Sequence, residues 1–217
     1  MGEKGNKNML HNFVYVSPEE YEPVRDDLIS LIHDVQDYVR DEFTFQYRFV
    51  GSASRHMITK DLNSNIGYDF DVNIEPNDDY ENYEPQEIRM ILMNAINRFA
   101  SKYGYENCSD GTKVLNIKTI DSYRSRIIHS CDFAIVYNCN DGRPQYIRHN
   151  KKTNNYTWEY RPKGFGLDMK EKWLKNNNLW GKVREYYLYK KNINDNPNKK
   201  SISIYAETIN EMYSKYC

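Results

Sequence analysis

Residues 48–74 read "RFVGSASRHMITKDLNSNIGYDFDVNI", and the fold is decided by this stretch. The alternating run "TFQYRFV" (44–50) reads as a strand and enters a Gly-Ser pair at 51 and 52. After a polar segment, "YDFDVNI" (68–74) alternates strictly. A period of two puts Tyr68, Phe70, Val72 and Ile74 on one face of a strand and Asp69, Asp71 and Asn73 on the other. Carboxylates at i and i+2 project side by side, and their repulsion raises a pKa or strains the fold unless a cation lies between them. Hard divalent ions such as Mg²⁺ favour carboxylate oxygens and complete their shell with water and phosphate oxygens. Asp69 and Asp71 therefore read as half of a metal site.

A two-metal site needs a further carboxylate, because ions ~3.5–4 Å apart must be bridged and flanked. "RIIHSCDFAIVYN" (126–138) reads as a strand with apolar residues on both faces and one interior acid, Asp132, which makes Asp132 the candidate. His129 stands three residues before Asp132, so it points to the opposite face and reads as structural. Gly51 and Ser52 stand where a strand gives way to a loop or helix. Glycine permits close backbone approach, and free N–H groups with a serine hydroxyl make a receptor for phosphate oxygens.

The 217 residues are enough for one sizeable core, with or without a helical appendage. No apolar run approaches a membrane span and no secretory signal opens the chain, so a cytoplasmic protein is expected. Cys108, Cys131, Cys139 and Cys217 show neither CxxC nor zinc spacing and read as reduced thiols. Residues 1–140 carry 14 Lys/Arg against 23 Asp/Glu, and residues 141–217 carry 16 against 8. This asymmetry suits cations near a carboxylate-bound metal and its polyphosphate, and equally a solvated helical surface.

Residues 1–12 read as loose. Ser17, Pro18 and Glu20 predict a capped helix running to about residue 41, with Tyr21, Val24, Leu28, Leu31, Ile32, Val35 and Val39 at helical spacing. Residues 53–67 read as loop. An acidic linker (75–84) leads through Pro85 into a helix whose stripe is Ile88, Ile91, Leu92, Ala95, Ile96 and Phe99. "KVLNIKTI" and residues 126–138 read as strands, "PQYIRHN" with "YTWEYRP" as a hairpin, and 167–177, 179–191 and 203–216 as helices. Trp180, Val183 and Tyr187 form a stripe read as packing rather than base stacking. Mixed strands with flanking helices predict an α+β fold, with a core over 1–164 and a C-terminal helical region over 165–217.

Taken in order, "VGS" after a strand, a variable segment, "DFD" on a strand and a lone Asp on a later strand resemble the nucleotidyltransferase superfamily of DNA polymerase beta. In character the chain is similar to the oligoadenylate synthase and cyclic GMP-AMP synthase-like bacterial enzymes. The resemblance covers about residues 20–140 and implies a mixed sheet flanked by helices. It implies that Gly51 and Ser52 hold nucleotide phosphates, and that Asp69, Asp71 and Asp132 are catalytic and bind two Mg²⁺ or Mn²⁺ ions. Asp132 also matches the position that activates the acceptor hydroxyl. Arg55, followed by His56 and Lys60, is a candidate phosphate contact, as are Lys170 and Lys172, with Lys175, in "MKEKWLK". The implied reaction transfers a nucleoside monophosphate from a nucleoside triphosphate to an acceptor hydroxyl on a nucleotide, RNA or small molecule, releasing pyrophosphate. Two other classes remain. A glycosyltransferase uses DxD to hold Mn²⁺ and a sugar nucleotide, but usually places a larger βαβ region first. A noncatalytic nucleotide-binding module would not need all three carboxylates.

Overall fold

The structure, a computed structural model, describes residues 10–78, 82–139, 143–161 and 166–217. The loose segment expected at 1–12 falls outside these up to residue 9, as do residues 79–81 of the acidic linker and the expected boundary at 164/165. In chain order the elements are β1 (Phe13–Tyr15), α1 (Pro18–Val39), β2 (Thr44–Val50), α2 (Gly51–Ser54), β3 (Thr59–Asp61), β4 (Ile66–Asn77), α3 (Pro85–Ala100), β5 (Ser109–Asp110), β6 (Leu115–Asp121), β7 (Arg126–Asn138), β8 (Pro144–Asn150), β9 (Asn155–Tyr160), α4 (Asp168–Asn176), α5 (Trp180–Asn192) and α6 (Ser201–Tyr216). The fold is α+β, a mixed sheet with flanking helices. It divides into two compact units, one of Val16–Ile58 and Asn65–Pro162, the other of Met1–Tyr15, Thr59–Ser64 and Lys163–Cys217.

The first unit holds the main sheet, in the order β2-β4-β7-β6-β5, with the β8–β9 hairpin joined to the far end of β7. β4 and β7 run parallel; the other pairs are antiparallel. The alternation of β4 works as the sequence predicts: Tyr68, Phe70, Val72 and Ile74 are buried against Leu115, Ile117, Cys131, Phe133 and Ile135 and the apolar stripes of α1 and α3. Each such side chain contributes about 1.5–3 kcal/mol on full burial. A one-residue slip of β4 would therefore forfeit at least about 5 kcal/mol and carry the aspartates into the core, so register is firmly held.

One helix start differs from the sequence pattern. Pro18 opens α1, but the Ser17 hydroxyl makes no cap bond. The Ser17 carbonyl instead accepts from the N–H groups of Glu20 and Tyr21, each at 3.1 Å. Side-chain reciprocity of this kind appears at α3, where the Glu87 carboxylate accepts the Glu84 N–H at 2.8 Å. Within the α3 stripe the fully buried Arg89 was not foreseen. Its guanidinium donates to Asp110 Oδ1 (2.6 Å) and to the carbonyls of Ile147 (3.2 Å), Gly111 (2.5 Å) and Val114 (2.8 Å). A buried charge is tolerated when it is paired and its donors are spent in this way.

In the second unit β1 and β3 form a two-stranded antiparallel ribbon; the sequence reading placed β3 in a loop and assigned nothing to β1. The side chain of Asn192 brackets Phe13, accepting its N–H and donating to its carbonyl (2.6 and 3.1 Å). Lys191 donates to Thr59 Oγ1 at 2.7 Å, and its ammonium lies 3.9 Å from the Phe13 ring centre. Burial pushes its pKa down to about 8. Leu174, Val183, Tyr187, Ile204, Ile209 and Met212 are buried, so the α5 stripe is indeed packing. No helix among the described residues is long and apolar enough to cross a membrane.

Candidate active site

β4 and β7 lie side by side in parallel with Asp71 opposite Asp132 and Asp69 opposite Ser130. Asp69 and Asp71 share the face of β4 turned away from the core, and Asp132 shares the corresponding face of β7. One carboxylate oxygen from each lies within 4.8 Å of the others. The trio read from the sequence is thus brought together by one strand pairing across about sixty residues of chain.

Flanking residues hold the acids in place. Ser130 Oγ donates to Asp69 Oδ1 at 2.8 Å, and Asn116 Nδ2, on β6 opposite Asp132, donates to Asp132 Oδ1 at 2.7 Å. All three carboxyls titrate above the ordinary aspartate range. For Asp69, burial and then the charge of Asp132 push the pKa up to about 7, against the Ser130 hydrogen bond. Asp69 is nevertheless exposed at the sheet surface, so water screens much of this rise and the direction is firmer than its size. Asp71 is raised by burial and Asp132, and opposed by the charges of Arg55 and Arg161. Asp132 is raised by burial and opposed by Asn116.

The Gly-Ser turn abuts this cluster. Val50, the last residue of β2, pairs with Asp71, so the chain turns at the level of the acids. Gly51 adopts φ +65°, and a β-carbon built there would run into the Asp71 carboxyl group. Only glycine satisfies both conditions. The half-buried Ser52 follows in α2, whose opening N–H groups have no partner within a helix. Arg55 caps the end of α2.

Asp69, Asp71, Asp132, Gly51, Ser52 and Arg55 all belong to the sheet unit. Lys170 and Lys172 belong to the helical one, where Lys170 donates to Asn210 Oδ1 at 2.6 Å and stands over the Tyr213 ring, while Lys172 is exposed on α4. His129 packs between the rings of Tyr68 and Tyr105 on the core side, the face opposite Asp132. Ser130, Asn116, Arg48 and Arg161 were not picked out in the sequence. Each is recognisable only once strand register is known.

The fold with this site defines a class, that of the nucleotidyltransferase fold. No protein-family model matches the sequence, and no curated protein matches it significantly. Solved structures do share the architecture. DncV from Vibrio cholerae, in its 3'-deoxy ATP bound form, aligns over 94% of this chain and 54% of its own, with TM-score 0.57 and 16% identity. DncV from Escherichia coli, in its 3'-deoxy GTP bound form, aligns over 94% and 55%, with TM-score 0.54 and 17% identity. The Bradyrhizobium diazoefficiens CD-NTase CdnG in complex with GTP aligns over 82% and 44%, with TM-score 0.50 and 9% identity. The chain spans about half the length of these proteins.

Proposed function

We propose that the chain is a metal-dependent nucleotidyltransferase that transfers a nucleoside monophosphate from a nucleoside triphosphate to an acceptor hydroxyl and releases pyrophosphate. The observation that carries this reading is the convergence of Asp69, Asp71 and Asp132 within 4.8 Å, against a glycine turn that admits no side chain. Structures of the same fold hold GTP and 3'-deoxy ATP, and one is described as a cyclic AMP-GMP synthase, which supports a nucleoside triphosphate as the ligand here.

The donor set fits hard divalent ions. It is entirely carboxylate oxygen, crowded until its protons are held above their usual range, and a cation that displaces those protons relieves the repulsion. Asp69, Asp71 and Asp132 would hold two Mg²⁺ or Mn²⁺ ions, which supply neutralising charge to the triphosphate and the departing pyrophosphate. The remaining work belongs to the chain's own residues. The N–H groups of α2 and the Ser52 hydroxyl receive phosphate oxygens, with Arg55 close enough to Asp71 to add positive charge.

Asn116 occupies Asp132 Oδ1, and no described residue donates to Oδ2. Asp132 Oδ2 takes the acceptor's proton as the acceptor oxygen bonds to the α-phosphorus. The bond from that phosphorus to the bridging oxygen breaks, and the electron pair leaves with pyrophosphate. Residues 1–164 form the catalytic core in this account, and 165–217 a helical region.

Incubation with each nucleoside triphosphate, and separately with sugar nucleotides, in Mg²⁺ or Mn²⁺ tests the proposal. Pyrophosphate should appear only with the triphosphates. Its absence with all four bases, or glycosyl transfer in its place, overturns the reading.

A further inference from the structure

β2 ends the main sheet: β4 lies on one side of it, and among the described residues no strand lies on the other. Its seven residues run against β4 in one unbroken register, from Thr44 opposite Asn77 to Val50 opposite Asp71. The strand carries neither proline nor lysine, and the register leaves no bulge in it. Those are the devices that usually stop a sheet edge from recruiting another strand.

Two contacts show which main-chain groups face the open side. Pro76, opposite Phe45, has no N–H to give, and the Phe45 carbonyl accepts instead from Gln36 Nε2 on α1 at 2.8 Å. Main-chain direction alternates along a strand, so Phe45, Tyr47 and Phe49 turn their N–H and C=O groups outward, while Thr44, Gln46, Arg48 and Val50 turn theirs towards β4.

The sequence of β2 is nearly symmetric about its centre. In Thr-Phe-Gln-Tyr-Arg-Phe-Val, long polar residues flank Tyr47, phenylalanines stand beyond them, and β-branched residues close both ends. Turned end for end, the strand presents the same kinds of side chain in the same order. Such a strand complements itself in an antiparallel pair, which is the isologous contact of a two-fold dimer.

We infer that β2 is a dimerisation edge whose partner is β2 of a second copy, antiparallel, with the two-fold axis at Tyr47. Phe45 then stands opposite Phe49 of the partner, Gln46 opposite Arg48 of the partner, and all seven residues are paired. The outward groups of residues 45, 47 and 49 meet their counterparts, and two sheets become one. A carbonyl has two lone pairs, so Phe45 keeps Gln36 while accepting a second N–H. An axis at Arg48 would oppose two guanidinium groups directly, which is unfavourable. An axis at Gln46 would set Phe49 and Val50 against residues 43 and 42, outside the strand. The symmetry singles out a second copy, because a strand from another protein makes no use of it.

Gln46 and Arg48 are exposed, so substitutions there test the edge without entering the core. Sedimentation equilibrium over a wide concentration range should show monomer and dimer in exchange. Gln46→Glu adds two opposite-charge pairs with Arg48 and should tighten the dimer about fivefold, while Gln46→Lys adds two like-charge pairs and should weaken it about fivefold. Disulfide trapping in a Cys139→Ser, Cys217→Ser background reads the register. Residues 46 and 48 of the two copies form a non-hydrogen-bonded pair with Cα atoms ~4.5 Å apart, within disulfide reach, whereas residue 46 and its own counterpart lie on a diagonal of ~7–8 Å. Oxidation of Gln46→Cys mixed with Arg48→Cys should therefore give a crosslinked dimer, and either variant alone should give little. A monomer at every concentration overturns the inference, as does a dimer that ignores both Gln46 charge variants and gives no mixed disulfide. Crosslinking of Gln46→Cys alone as efficient as that of the mixture overturns the Tyr47 axis.

Discussion

Gly51 and Asp71 approach so closely that residue 51 has no room for a β-carbon beside the carboxyl group, and the same residue sits at φ +65°. The Gly51–Ser52 turn and the strand that carries two acids are thereby in direct contact. Gly51→Ala violates both conditions. Left-handed backbone alone costs an L residue about 1–2 kcal/mol, and displacement of Asp71 adds to it. Urea unfolding should show a loss of about that size or more, while nucleotidyl transfer falls at least about a hundredfold. Near-normal activity in a folded Gly51→Ala protein contradicts the close coupling.

If Asp132 takes the acceptor's proton as proposed, Asp132→Asn should impair chemistry more than binding. A lost general base costs on the order of 10²–10⁴ in rate. Pyrophosphate release should fall by that factor, while calorimetry with a triphosphate and Mg²⁺ shows a change in Kd below about tenfold. Turnover close to wild type removes Asp132 from its assigned role.

Without metal, the crowded carboxylates should make stability depend on pH. The Asp69 pKa rises from 3.8 to about 7 on folding, so between those values the folded chain binds more protons than the unfolded one. The associated stability is fully present below pH 3.8 and is lost as pH rises through about 7. Thermal melts of the metal-free protein should show this trend. Mg²⁺ should raise Tm more at pH 8 than at pH 5, and Asp69→Asn should raise Tm at pH 8 without metal while shrinking the Mg²⁺ effect. A Mg²⁺ shift equal at both pH values would count against a proton-for-metal exchange.

Arg89 is fully buried, and its donors are spent on Asp110 and three carbonyls. Arg89→Met keeps most of the volume but strands those acceptors, and removal of one partner of a buried pair costs roughly 3–5 kcal/mol. Urea unfolding measures it. A loss under about 1 kcal/mol would show that the network contributes little.

The parts of this architecture that sequence reveals are those with long, clean periodicity. β4 and β7 each span a dozen residues with an apolar face, and α1 and α3 carry full stripes, so their types and inward residues follow from spacing alone. β1 and β3 have three residues each, too few to show a period, and are held by Asn192 and Lys191 from α5, far along the chain. Ser17 fits the pattern of a cap, yet its carbonyl takes the bonds, because a sequence motif does not fix a rotamer. Asp132 was identifiable as the odd acid in an apolar strand, but its position opposite Asp71 depends on parallel pairing. Ser130, Asn116 and Arg161 are ordinary polar residues until that register is set, which is why the supporting shell stayed hidden while the acids did not.

Diffraction from crystals grown with Mn²⁺ and a nonhydrolysable nucleoside triphosphate tests the central claim most directly, since anomalous scattering locates the ions. The account predicts two peaks ~3.5–4 Å apart among Asp69, Asp71 and Asp132, with the triphosphate on the Gly51–Ser52 turn. Ions bound elsewhere, or a triphosphate lying away from that turn, would contradict it.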